Sequence, residues 1–227
     1  MKKYYERMKN ERKGIAMSRK KSYCIIKKGE FAYFPIKAKL GPYGEAGELK
    51  IGYLAGMPNF FGGTVKSGKD KYHTLVDEVF QESQENITIN LSDNKEEEQR
   101  NEIKDACVPL KSFIFGEENP TKYYFYSFNA DDYQPAVTIK GFEGRDILIL
   151  STDVSWKKEY REMSCILKIA VSQLHKNFDN FLDKCIKRGS KYLLDKETIT
   201  AHQDWTNSGT QAAFREFCTK YGIDAIN

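Results

Sequence analysis

The stretch 60–85 constrains this chain most, because it puts a diglycine, a lysine-bearing loop and an acidic helical pattern in immediate succession. Gly62-Gly63 lets the backbone turn tightly and come close to a ligand. Lys66 and Lys69 follow in a loop of the kind that presents N–H and ammonium groups to phosphate. Over 71–85, Leu75, Val76, Val79 and Phe80 recur at helical spacing. This predicts a helix with Asp70 as its N-cap and Asn86 closing it in a left-handed conformation. The helix would carry Glu78, Gln81, Glu82 and Glu85 at offsets of 0, +3, +4 and +7, all on one face. Like charges four residues apart repel in an isolated helix. A hard divalent cation relieves that repulsion, and Mg²⁺ takes carboxylate oxygens while keeping several waters. A phosphate loop leading into such a face suits hydrolysis of a pyrophosphate.

The same segment resembles the box of the Nudix hydrolases, G-x5-E-x7-R-E-U-x-E-E-x-G-U, where U is apolar. With Gly63 as the first glycine, the chain keeps Gly63, Glu78, Val79 and Glu82. Lys69 stands at the first Glu, Asp77 at the Arg, Gln81 at the first of the paired Glu positions and Gln84 at the last Gly. Lys69 and Asp77 reverse the family's polarity, so an ion pair between them is expected to survive. Asn86 is the expected substitute for the lost glycine, which would bring Glu85 onto the metal face. The resemblance implies an α+β fold, an α/β/α sandwich with a mixed sheet. It implies Mg²⁺ (or Mn²⁺) held by Glu78, Gln81, Glu82 and Glu85, and phosphate held by Gly62, Gly63, Lys66 and Lys69. Catalysis would fall to Glu78 and Glu82 with a further acid from a later loop. Glu143 is the candidate for that acid, with Glu117, Glu118, Asp131 and Asp132 as rivals. The implied reaction is cleavage of a nucleoside diphosphate linked to another moiety, a nucleotide-type small molecule. The neutral Gln81 keeps an alternative open: a catalytically impaired Nudix-fold module that binds a nucleotide, an RNA or a protein.

The rest of the chain supplies the frame. Strands are expected at 22–27 and 31–36, at 48–54, and around the diglycine. Further strands are expected at 87–91, 111–115, 123–128, 136–140 and 146–151. Residues 95–104 read as an exposed helix or loop. Residues 162–187 carry an apolar stripe from Met163 to Ile186 that predicts a long helix stopped by Gly189, and a last helix is expected over 209–221. The 210–223 segment also resembles the second half of a Nudix box. Thr219 and Lys220 replace its paired carboxylates, so it reads as a closing helix. The expected organisation is a basic N-terminal arm at 1–20, a Nudix-like domain at 21–188 and a helical C-terminal extension at 189–227.

Charge separates the arm from the body. Residues 1–21 hold nine basic and two acidic side chains, 9 − 2 = +7, so the remainder is 4 − 7 = −3. Such an arm is suited to contact with nucleic acid, anionic lipid or a protein partner. The five cysteines are far apart and never spaced as a metal knuckle, which predicts a reduced setting, the cytoplasm or the interior of a host cell. No apolar run approaches the roughly 18 residues of a membrane span.

Overall fold

The computed structural model describes residues 19–38, 40–41, 50–51, 56–116, 120–151, 158–174 and 208–223. The arm at 1–18 lies outside the described residues, as do most of the loop at 42–55, the segments 152–157 and 175–207, and the last four residues.

The chain opens on a hairpin. β1 (Arg19–Lys28) and β2 (Phe31–Lys37) are antiparallel, joined at Gly29 with φ of 55°. Arg19, Lys20 and Lys21, assigned by charge to the arm and its boundary, belong to β1. β3 (Leu40–Gly41) and β4 (Lys50–Ile51) form a two-residue ladder, and β5 (Phe61–Thr64) carries the diglycine. Helix α1 (Lys71–Glu82) follows, then β6 (Ile87–Ile89), helix α2 (Glu96–Ala106), β7 (Cys107–Phe115) and β8 (Thr121–Asn129). β9 (Val137–Ile139) pairs with β6 beside the main sheet, and β10 (Ile147–Ile149), β11 (Met163–Ala170) and helix α3 (Gly209–Tyr221) complete the order.

The main sheet has seven strands in the order β10-β11-β2-β1-β8-β7, with β5 added to β1. It is mixed: β1 and β8 are parallel from Arg19/Thr121 to Lys27/Asn129, and the other pairs are antiparallel. β1 divides one of its edges, pairing with β5 through Lys21–Cys24 and with β2 through Ile26–Lys28. The chain therefore switches partners beside the diglycine, and a cleft opens there.

Two apolar cores lie on opposite faces of the sheet, because side chains alternate along a strand. On one face Cys24, Ile26, Tyr126 and Phe128 pack against Leu75 and Val79 of α1 and Ile103 of α2. On the other face Ile25, Phe34, Phe60 and Phe125 pack against Ala213, Phe214, Phe217 and Cys218 of α3. The fold is thus an α/β/α sandwich, and α3, expected as part of an extension, is its second helical layer. Phe214 is fully buried, with its ring 5.3 Å from Phe34 and 4.6 Å from Phe60, edge to face. Phe214→Ala is expected to cost about 3–5 kcal/mol, the usual range for emptying a buried aromatic site. Urea unfolding of wild type and variant measures this, and a helix lying outside the core would show almost no loss.

The long helix expected over 162–187 is not formed in its first half. Met163–Ala170 is a strand between β10 and β2, followed by a 3₁₀ turn at Val171–Gln173; residues 175–187 lie outside the described residues. A central strand covered on both faces has a nearly continuous apolar sequence, and over eight residues that pattern also fits a buried helix.

Candidate active site

α1 begins as the sequence indicates. Asp70 caps it, accepting hydrogen bonds from the N–H groups of Tyr72 at 2.6 Å and His73 at 3.1 Å. Its carboxylate also meets the His73 Nδ1 at 2.7 Å. Burial pushes the Asp70 carboxyl upward, but these hydrogen bonds outweigh it and hold the group below its ordinary value. Lys69, just before the cap, donates to Asp77. The two positions with reversed polarity therefore do face each other, and the ion pair ties the loop to the helix.

The helix ends sooner than its charge pattern suggests. Ser83 is the C-cap, and Gln84 and Glu85 take left-handed conformations at φ of 50° and 65°. Gln84, at the position of the family's glycine, adopts that turn itself, and Asn86 supports it by donating to the carbonyls of Ser83 at 2.8 Å and Gln84 at 3.1 Å. The strain of a non-glycine residue there, about 1–3 kcal/mol, is offset by the Gln84 side chain. It donates to the carbonyls of Ser151 and Tyr160 at 2.7 and 2.8 Å, and accepts from Ser151 N–H at 2.7 Å. Glu85 consequently leaves the helix face and is exposed, so it does not join Glu78 and Glu82.

A cavity of about 480 Å³ opens between β5, the sheet and the N-terminal end of α3. Of the residues that sequence reasoning placed in the site, Gly62, Gly63, Lys66, Glu78, Gln81 and Glu82 line it. Lys69, Glu85 and Glu143 do not. Lys69 is taken up by Asp77, and Glu143 is exposed in the turn between Gly141 and Gly144. The rivals for the loop acid lie elsewhere too: Asp131 accepts from the Gly29 N–H at 2.7 Å, Asp132 accepts from the Asn129 amide at 2.5 Å, and Glu117 and Glu118 fall outside the described residues.

The third acid in the cavity is Glu162. It precedes β11, whose Met163 registers with Lys37 at the end of β2, and its carbonyl accepts from Ala38 N–H at 2.9 Å. Reading 162–187 as helix concealed it. Reading 163–170 as a strand would have placed this acid at a strand entrance beside the site. The lining also includes Lys21, Tyr23, Tyr123 and Phe125 from the sheet, Lys37 from β2, Asn59 and Thr210.

The diglycine explains how a helix on one face of the sheet can present acids to this cavity. A Cβ on Gly63 would lie 2.8 Å from the Glu78 carboxylate carbon, so the missing side chain is the space that Glu78 occupies. A Cβ on Gly62, at φ of 152°, would lie 2.1 Å from the Ser22 carbonyl oxygen and 2.6 Å from the Tyr23 Cα. With that space open, the Gly62 N–H donates to Glu82 Oε2 at 2.8 Å.

Glu82 is only 3% exposed. Burial, then the Glu78 and Glu162 carboxylates, push its carboxyl well above the ordinary carboxylate range, against the opposing pull of the Gly62 N–H and Lys37. Lys21 shows the complementary effect: burial and the Lys37 ammonium lower it, against Glu162. Among the described residues no three His, Cys, Asp or Glu side chains form a ready metal cage. The donor chemistry nevertheless fits Mg²⁺ or Mn²⁺. Glu78 and Glu82 offer hard oxygens in one cavity, and Mg²⁺ commonly takes one or two carboxylates plus water.

No family model and no curated protein matches the sequence. Solved structures that the chain matches include a bifunctional NMN adenylyltransferase/ADP ribose pyrophosphatase from Francisella tularensis complexed with AMP and a Mn ion. It is 11% identical, with 88% of this chain and 44% of that one covered and a TM-score of 0.39. The chain thus spans less than half of that protein's length. A NUDIX hydrolase from Nitrosomonas europaea matches at 10% identity over 83% of this chain and 88% of that one, TM-score 0.34. The MutT protein from Methanosarcina mazei Go1 matches at 10% identity over 75% and 94%, TM-score 0.35. The chain thus has a mixed sheet between helical layers, with Gly63, Glu78 and Glu82 brought together at one cavity by the diglycine strand and the acidic helix.

Proposed function

We propose that this chain hydrolyses the pyrophosphate bond of a nucleoside diphosphate joined to another group, with Mg²⁺ or Mn²⁺ held by Glu78 and Glu82. The observation that carries the reading is the meeting of Glu78 and Glu82 from α1 with Glu162 from the segment before β11, in one cavity that also holds lysines. When bound, the metal supplies charge neutralisation on the phosphate oxygens and lowers the pKa of water. Glu82, fixed by the Gly62 N–H, holds its carboxylate in place. Gln81 adds a neutral amide oxygen beside the acids. Lys66 offers its ammonium to phosphate oxygens. Glu162, which also lines the cavity, would serve as the general base and take a proton from the attacking water. The new P–O bond then forms as the bridging P–O bond breaks, which gives a nucleoside monophosphate and the phosphorylated second group.

Glu162→Gln is expected to lower kcat by about 10²–10⁴-fold, the usual contribution of a general base. Glu143→Gln should leave it unchanged, since Glu143 lies in an exposed turn away from the cavity. Steady-state kinetics on both variants decide the matter, and a loss confined to Glu143→Gln would restore the loop acid first expected from sequence.

Gln81 favours a second reading, a nucleotide-binding module with little or no turnover, since one negative charge of the family's pattern is missing. Nucleotide binding by a pure sample that converts no pyrophosphate in Mg²⁺ or Mn²⁺ would select it. The basic arm, expected from its charge over 1–21 but ending where β1 begins at Arg19, is the segment proposed to contact nucleic acid or protein. Among the described residues no helix is long and apolar enough to cross a membrane.

A further inference from the structure

A second surface lies on the face of the sheet opposite α3, where α1 begins. Lys20 of β1 registers with Lys122 of β8, and Lys122 with Ile114 of β7, so the three form one row across adjacent strands. The neighbouring row on the same face is Ser22, Tyr124 and Ser112. Tyr124 packs against the core under α1, which fixes the face. Lys71, the first residue of α1, adds an ammonium from the helix. Its Nζ lies 4.4 Å from the centre of the Tyr124 ring, 4.7 Å from that of Tyr72 and 5.3 Å from that of Tyr126. Lys122 Nζ lies 5.0 Å from the Tyr124 ring centre.

Three ammonium groups thus gather around one tyrosine, and none of the four residues lines the cavity. Among the described residues no ion pair involves Lys20, Lys71 or Lys122. Burial lowers Lys71 below the usual lysine range, and so do the Lys122 and Lys20 ammonium groups, against Cys107 and Asp70. Burial raises the Cys107 thiol far enough to leave it uncharged near neutral pH. The Asp70 carboxylate is engaged by the helix cap and His73. The cluster therefore carries net positive charge. Apolar surface stands beside it: Tyr124 is half-buried, and Ile114, on the edge strand β7, is 66% exposed. The segment 1–18, which leads into β1, adds six basic and two acidic side chains, 6 − 2 = +4. Lysine suits phosphate oxygens as a point charge with three donors. Aromatic and apolar groups among such lysines suit unpaired bases, whose faces a duplex keeps stacked inside. An acidic peptide would use the lysines and leave the ring and Ile114 without a partner.

We propose that this patch binds single-stranded nucleic acid, with Lys20, Lys71 and Lys122 on its phosphates and Tyr124 and Ile114 against its bases. The contact belongs to the folded sheet, and the arm extends it. It goes beyond the hydrolysis reading and does not depend on it.

The test is fluorescence anisotropy of a labelled oligouridylate titrated with the full chain in EDTA at several salt concentrations. Saturable binding is expected, weakened about tenfold or more by the double variant Lys20→Gln, Lys122→Gln, as for loss of charge-assisted hydrogen bonds. Its log–log salt dependence should be shallower by about 1.4, since each lost phosphate contact on a single strand removes about 0.7. The double variant Lys20→Arg, Lys122→Arg is expected to bind much as wild type does, which separates lost charge from lost folding. Tyr124→Leu should weaken binding several-fold and Tyr124→Phe should not. A duplex RNA of the same length should bind more weakly than the single strand. No binding by wild type, or a glutamine variant with wild-type affinity and salt dependence, would overturn the proposal. So would a duplex that binds as tightly as the single strand. Loss of binding to polyglutamate or anionic vesicles in the glutamine variant, with oligouridylate binding unchanged, would assign the patch to another partner and overturn it too. Oligouridylate binding that follows these variants, in a sample that turns over no pyrophosphate in Mg²⁺, would leave this inference standing and remove the hydrolase. Turnover without oligouridylate binding would do the reverse.

Discussion

Glu82→Gln is expected to abolish Mg²⁺-dependent turnover and, in the same sample, to raise the stability of the metal-free protein. The first effect follows from its place: a carboxylate lining the cavity, held by the Gly62 N–H at 2.8 Å and acted on by Glu78 and Glu162. Loss of its charge should lower kcat by at least about a hundredfold, the low end of what one charged catalytic group contributes. The second effect follows from burial. A carboxyl whose folded-state pKa is raised binds more protons in the folded than in the unfolded protein over the window above its ordinary value of 4.5. Stability then falls as pH rises through that window. Glutamine keeps an oxygen for the Gly62 N–H and carries no charge, so the variant lacks this decline. Urea unfolding in EDTA at about pH 5 and about pH 8 measures both proteins across the window that starts near the ordinary Glu value. The variant should gain on wild type as pH rises. A variant that is less stable at both pH values would mean that the Glu82 charge is compensated in the folded protein.

The second large effect belongs to Gly62. Gly62→Ala would bring a Cβ within 2.1 Å of the Ser22 carbonyl oxygen and 2.7 Å of the Tyr23 ring, at a φ of 152° that L-residues rarely adopt. The obstacle is backbone of β1, the central strand, so it cannot yield as a flexible side chain would. Backbone strain and overpacking together are expected to cost roughly 2–6 kcal/mol, a large share of the usual stability of about 5–15 kcal/mol. Gly63→Ala meets only the movable end of Glu78, at 2.8 Å, so it should fold but displace that carboxylate and weaken metal binding. Thermal unfolding of the two variants, paired with Mn²⁺ titration, separates the roles. Equal stability of Gly62→Ala and wild type would contradict the packing described for β5.

The parts of the site that were legible in the sequence are local. Asp70, Leu75 and Val79 sit at fixed offsets in one helix, and the diglycine announces a close approach wherever it occurs. The Lys69–Asp77 pair was legible because both residues lie within eight positions and their reversed polarity made sense only if they met. What failed depended on distant partners. Glu85 counts as a fourth acid on a regular helix, but Gln84 turns left-handed because Ser151 and Tyr160, far along the chain, hydrogen-bond its side chain. Glu162 was hidden because β11 is covered on both faces, so its apolar run carries no period-two signature. Lys21 and Lys37 are ordinary strand lysines until β1, β2 and β5 are assembled around one cleft. The α/β/α architecture survived these errors, since the two faces are set by strands whose alternation is clear, as in β1 and β8.

Cleavage of a pyrophosphate by these acids can be followed by ³¹P NMR on ADP-ribose, a dinucleoside polyphosphate and other nucleoside diphosphate derivatives, with the full chain and Mg²⁺ or Mn²⁺. The diphosphate resonances of at least one compound are expected to give way to phosphomonoester resonances. No change is expected in EDTA or with Glu82→Gln. Unchanged spectra for every compound in both metals, from a folded sample, would contradict such cleavage.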